Sequence, residues 1–167
     1  MPLTPLHWGP ALLVGLLVLP LLDLPCFLIA SVILDIEPAV LMLLGAPIWH
    51  AFFHTYLAAT LVGIALVPIV YLLHGLLEWL LRLFGLEQQK SMPRITVAAL
   101  LGTNLHVFLD SFLYSEMQPL FPLLGNPFYG LVTYGQVLLL CFVAFVAAIP
   151  LYVFQVWRTQ KRRQMRA

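Results

Sequence analysis

Charge is the scarcest property of this chain. Only 9% of its 167 residues are Asp, Glu, Lys or Arg, while 62% are hydrophobic and the mean hydropathy is +1.00. Soluble domains are nearer a quarter charged and half apolar, so an ordinary water-soluble globule is excluded. Cysteine is nearly absent too. Cys26 and Cys141 lie far apart inside apolar stretches with no Cys-x-x-Cys pairing, which excludes a zinc knuckle or dithiol motif and predicts two core residues. The ten-residue alternation of a membrane barrel is missing, as is any internal repeat. No Lys or Arg precedes the first hydrophobic run and no small-x-small cleavage site is evident, so that run is predicted to stay in the protein.

What the chain has instead is long apolar runs. The clearest covers residues 51–73, with His54 near its start. A second covers 95–114, with His106 and Asp110 in its final third, and a third covers 131–154 with no charge at all. A bilayer core about 30 Å thick takes roughly 20 residues per crossing, so each is long enough. Residues 11–22 and 26–34 are shorter runs divided by Pro20, Asp23 and Pro25. They read either as one broken helix or as a helical hairpin turning at Asp23 and Pro25. Proline disfavours helix in the residue before it and removes a donor, which favours the hairpin. The predicted fold is an all-α polytopic membrane bundle of three clear spans plus this broken helix or hairpin. It forms one domain over residues 1–157, followed by a basic tail over 158–167.

The basic residues set the expected topology. Arg158, Lys161, Arg162, Arg163 and Arg166 crowd the tail, and Arg82, Lys90 and Arg94 mark the polar segment 78–94. Both are predicted to face the cytoplasm beside anionic headgroups. A nucleic-acid partner is not expected, because the tail lacks a folded platform and interleaved aromatics. Glu78 and Arg82 read as a solvated ion pair at the same end as His74. Trp8, Trp49, Trp79 and Trp157 fall near predicted helix ends, as an aromatic belt requires.

Against this background a few polar residues are out of place. An Asp at a helix centre costs about 2.5 to 3.5 kcal/mol on insertion, so Asp110 needs an offsetting interaction. His106 lies four residues earlier and shares its helix face, which continues back through the small residues Gly102 and Ala99. His50 and His54 repeat the spacing, with a stripe continuing through Ala58. Antiparallel topology brings these four to one membrane face, predicted to be extracytoplasmic. Asp35 and Glu37 join them through the connection 34–49, and His7 joins if the hairpin forms. A single interfacial His, or acids at a helix end, would need no function. Convergence of seven such groups favours a site. Imidazole with carboxylate suits zinc or another divalent metal, one ion or two, and an open position would make bound water nucleophilic.

These motifs resemble, in order, those of the membrane-bound metal-dependent hydrolase family of the LexA-regulated inner-membrane type. His7 precedes an apolar helix as the family's early His does. Ile33-Leu34-Asp35-Ile36-Glu37-Pro38 resembles its Leu-Pro-Asp-Ile-Asp segment, and His54-Thr55 its Thr-His-Ser block. The stretch from His106 to Pro122 resembles its His-x-x-x-Asp segment through a Leu-x-Pro ending without a gap. Departures occur at Leu34, where the family has Pro, at Glu37, where it has Asp, and at Glu116, where Gly is usual. The first His of its His-Arg-Gly-x-Thr-His run would fall at Trp49, one residue before His50. The resemblance implies an inner-membrane hydrolase with His7, Asp35, His54, His106 and Asp110 as metal ligands and Glu37 or His50 as further ones. Glu116, close to that helix end, is the expected general base, with Glu37 as a second acid. A lipid or lipid-linked ester or phosphoester is the expected substrate. A metal-ion or proton transporter using the same residues is the alternative, and a scaffold with a structural metal a third.

Overall fold

Asp23 decides how the N-terminal segment folds. In the computed structural model, which describes residues 4–47 and 50–165, α1 (Thr4–Leu17) leads into a tight turn and α2 (Leu24–Ala30) starts on Asp23. The Asp23 carboxylate accepts the Cys26 N–H at 3.0 Å, and Pro25 sits in the first turn, where its missing N–H is an orphan anyway. The N-terminal segment is therefore a helical hairpin. Gln88 closes it from outside: its amide donates to the Leu19 and Leu22 carbonyls at 2.9 and 2.7 Å, and its carbonyl accepts the Leu24 N–H at 2.8 Å. Asp23 also meets His74 Nε2 at 3.2 Å, and both side chains are buried.

The returning limb does not stop where the sequence suggested. One 3-10 turn (Ile33–Asp35) carries it into α3 (Ile36–Leu43), so Leu24–Leu43 makes a 20-residue apolar limb. Much of the expected connection 34–49 is thus helix, and Glu37 and Pro38 open a helix instead of ending one. Pro38 is tolerated because it falls in the first turn. The remaining helices are α4 (Tyr56–Leu83), α5 (Met92–Ser111) and α6 (Tyr134–Gln164). Among the described residues four segments are long and apolar enough to cross a membrane, and α1 is a shorter apolar helix beside them. The fold is an all-helical polytopic bundle, with one more such segment than the three clear spans read from hydropathy.

Helix starts follow capping chemistry more than hydropathy. Thr55 is extended (φ −110°, ψ 150°) and its hydroxyl accepts the Ala58 N–H at 3.1 Å, so α4 cannot reach back to residue 51. Thr133 and Gln136 form a capping box at the start of α6. That helix runs on through the basic stretch, so the expected tail is its last turns, with Arg163 paired to Glu87 at 2.6 Å. Arg166 lies outside the described residues. Glu78 and Arg82 pair at 2.6 Å as expected, and Cys26 and Cys141 are buried. Trp8, Trp79 and Trp157 are exposed; Trp49 lies outside the described residues.

Small residues set the packing. A β-carbon on Gly102 would lie 2.6 Å from Ala30 Cβ and 3.0 Å from the Phe27 carbonyl oxygen, so only glycine allows α5 this close to α2. Gly9 does the same for α1 against α6, where a β-carbon would fall 2.2 Å from the Cys141 oxygen. Phe27, Ala30, Ala98 and Ala99 fill the seam between. These contacts bring the start of α1, the end of α2, the start of α4 and the end of α5 to one end of the bundle.

Candidate metal centre

His106 is fully buried near the end of α5, and its two ring nitrogens face different chemistry. The break between α2 and α3 frees the Ser31 carbonyl, because Asp35 N–H bonds to Val32 instead of continuing a helix through it. His106 Nδ1 lies 2.8 Å from that oxygen. A carbonyl only accepts, so Nδ1 carries the proton and neutral His106 presents a lone pair at Nε2. His54 is arranged likewise. It sits in a 3-10 turn (Phe52–His54), and its Nδ1 lies 2.8 Å from Glu37 Oε2, whose other oxygen accepts the Phe53 N–H at 3.0 Å. His54 Nε2 is therefore also a lone pair.

These two nitrogens point at each other across 3.2 Å. Asp110 Oδ2 lies 3.3 Å from His106 Nε2 and 3.7 Å from His54 Nε2, and Asp35 Oδ1 lies 3.6 Å from His106 Nε2. All four donor atoms fall within 4.8 Å of one another, and all four residues are buried. Four electron pairs face one another with no proton supplied by the neutral side chains. Tetrahedral bonds of about 2.0 to 2.2 Å put neighbouring ligands about 3.3 to 3.6 Å apart, close to these spacings. The residues fit a divalent metal ion. A carboxylate or carbonyl behind each imidazole, as Glu37 and Ser31 provide here, is the usual outer support of a metal-binding histidine.

The other residues expected in the site stand around this group. His7 meets Asp110 Oδ1 through Nε2 at 3.1 Å, and its ring lies 4.4 Å from that of His106. His50 stacks on Tyr114 at 3.6 Å, packs edge-on to His54 at 4.9 Å, and meets Glu116 Oε1 through Nδ1 at 3.1 Å. Among the described residues three buried side-chain atoms have no hydrogen-bond partner: His7 Nδ1, Asp35 Oδ2 and His50 Nε2. Burial holds the Tyr114 phenol above its ordinary range.

Several expectations need correction here. His50 and His54 do not share a helical face, because Thr55 starts α4 after them and a 3-10 turn carries His54. Glu37 is not placed as a ligand or an acid on substrate, since both its oxygens are engaged behind His54. Glu116 faces His50, outside the four-donor group. The sequence reading also missed the Asp23–His74 pair, although an Asp between two apolar runs was a signal. It missed the Ser31 carbonyl as well, for which sequence carries no signal.

Burial is the main cause that pulls the His50 imidazole below 6.5, its ordinary value. His54 acts in the same direction, while Asp110 and Glu116 oppose it. Unfolded His50 therefore binds a proton more readily than folded His50. Its contribution to stability is complete above 6.5 and is lost as pH falls through the folded value. In metal-free protein, His50→Gln is expected to lessen the fall in melting temperature below pH 6.5. A melting series against pH reads this directly.

No known protein family, curated protein or solved structure matches this chain. The functional reading rests on its own residues.

Proposed function

We propose that this chain is an integral-membrane metal-dependent hydrolase, acting on a lipid or lipid-linked ester or phosphoester with zinc as its ion. The observation that carries the reading is the convergence of two imidazole nitrogens and two carboxylate oxygens, all within 4.8 Å of one another in a buried site. His54, His106, Asp35 and Asp110 hold the ion. Bound there, a divalent ion supplies a Lewis acid able to acidify water and polarise a carbonyl or phosphoryl oxygen. Glu37 and Ser31 keep the two histidines in the required tautomer, and His7 orients Asp110 through Oδ1. His50 Nε2 is the base in this reading, a buried acceptor whose ring is oriented by Glu116 at Nδ1 and by Tyr114 beneath it. Glu116 is then a positioning residue acting through His50.

The transporter alternative needs a polar path from this site to the other end of the bundle. The seam between α2 and α5 offers none: Ala30, Ala98 and Ala99 are fully buried, and Gly102 has no room for a methyl group. The test is metal analysis of purified protein, then assay on a panel of lipid esters and phosphoesters. Stoichiometric metal and turnover are expected, with turnover lost in Asp110→Asn. Unchanged turnover in that variant would sink the hydrolase reading, and metal flux into liposomes without turnover would favour a carrier.

A further inference from the structure

The two ends of the bundle differ in charge more than any water-facing pair of surfaces needs to. All eight Lys and Arg residues fall within positions 82–94 and 158–166, and the seven among the described residues lie at the end away from the metal centre. The segments at the centre's own end are nearly uncharged. Residues 44–51 have no Asp, Glu, Lys or Arg, and the long connection 112–133 has only Glu116, which is turned to His50.

In place of charge, this end exposes large apolar side chains. Leu43 and Leu44 are 88% and 75% exposed, Leu123 and Leu124 67% and 84%, and Phe52 and Phe53 just under half. This set of exposed apolar side chains forms the collar; within it the Phe52 ring packs on Phe121 at 6.0 Å, and the neighbouring Tyr56 N–H bonds to the Pro119 carbonyl at 2.9 Å. Next along the chain from Phe52 and Phe53, α4 presents an outward face at Leu57, Leu61 and Ile64, which are about half exposed. That face belongs to a segment apolar enough to cross a membrane. Loops that meet water are normally polar.

Irregular backbone enters an apolar medium only if its polar groups are satisfied internally. Much of this backbone is. Gly45 and Ala46 N–H bond back to Met42 and Leu41, and Phe121, Leu123 and Leu131 N–H to Gln118, Leu120 and Phe128. The Asn126 amide donates to the Ser111 and Tyr114 carbonyls, while its oxygen accepts the Phe128 N–H.

We infer that the collar is seated in the apolar part of one bilayer leaflet and that the metal centre takes a lipid-borne ligand. The consequence for the ligand rests on the hydrolase reading; the seating of the collar does not. The experiment uses full-length protein in vesicles of phosphatidylcholine and phosphatidylglycerol, with a nitroxide label on Leu124→Cys. Labels on Leu72→Cys, on the outward face of α4, and Gln89→Cys, in the basic-end loop, are the lipid and water references. Leu43→Cys gives a second reading of the collar if Leu124→Cys does not fold.

Collision with dissolved oxygen should exceed collision with a water-soluble nickel chelate several-fold at the collar, as at Leu72. A collar accessible to nickel as Gln89 is would overturn the inference. So would a collar protected from both, with dipolar broadening between labels, since a second copy would then cover it. Failure in either form leaves metal content and turnover untouched, and so is distinct from failure of the hydrolase reading.

Discussion

Asp110→Asn is expected to lose its metal and yet, once both proteins are chelated at about pH 9, to unfold at a higher temperature than the parent. Alkaline pH favours neutral imidazole, and neutral His54 and His106 each carry their one proton on Nδ1, toward Glu37 and the Ser31 carbonyl, so the four-donor group has none to share. In the parent, Asp110 Oδ2 then faces two imidazole lone pairs at 3.3 and 3.7 Å. An asparagine amide in its place donates to one of them and removes a buried charge. Replacing that clash with a hydrogen bond is worth about 1 to 3 kcal/mol. Metal reverses the order: an ion at a thousand times the parent's dissociation constant stabilises the parent by about 4 kcal/mol and the variant, with its weakened site, by much less. Loss of an inner ligand should exceed the roughly 10- to 100-fold loss of affinity that follows removal of an outer partner. Acid reverses it too, because a protonated His106 pairs with Asp110 and breaking a buried pair is costly. Melting temperatures of both proteins, loaded and chelated, at acid and alkaline pH, test all three signs. A variant that keeps stoichiometric metal would remove Asp110 from the site.

Asp23→Ala is expected to cost about 3 to 5 kcal/mol, the range for breaking a buried, hydrogen-bonded pair. The carboxylate caps α2 through Cys26 N–H and meets His74 Nε2, and nothing else among the described residues replaces either contact. Asp23→Asn should recover the cap's share, about 1 kcal/mol, because an amide oxygen can still accept from Cys26. His74→Ala combined with Asp23→Ala should cost less than the sum of the two, since they share one interaction. Unfolding midpoints in detergent measure each. The effect reaches the metal centre although Asp23 lies at the other end. The turn sets the register of α1 against α2, and that register brings His7 to Asp110 and Asp35 to His106. Metal affinity should therefore fall with stability. Unchanged affinity in a strongly destabilised Asp23→Ala would uncouple the hairpin from the site.

Much of the bundle was readable in the chain because hydropathy is local. A run such as 131–154, with no charge, can be recognised without knowing its neighbours. Convergence of His54, His106, Asp35 and Asp110 was also legible, since counting crossings tells which residues share a membrane face. The details around His50 and His54 were not. Their spacing of four fits a helix, and only the extended conformation at Thr55 removes them from one. Hydropathy divides Leu24–Leu43 because the acids Asp35, in its 3-10 turn, and Glu37, in the first turn of α3, score as an end.

The sequence by itself determined the long apolar helices, a break at Asp23 that left a broken helix or a hairpin, and the set of residues from which a metal centre could be built. Each follows from residue type and separation along the chain. Tertiary structure alone decided which members of that set bring donor atoms together and which stand behind them. Glu37 became the partner of His54 Nδ1, Glu116 the partner of His50, and the Ser31 carbonyl the partner of His106. A histidine's useful lone pair depends on what stands behind its other nitrogen, and here that partner comes from a distant part of the chain.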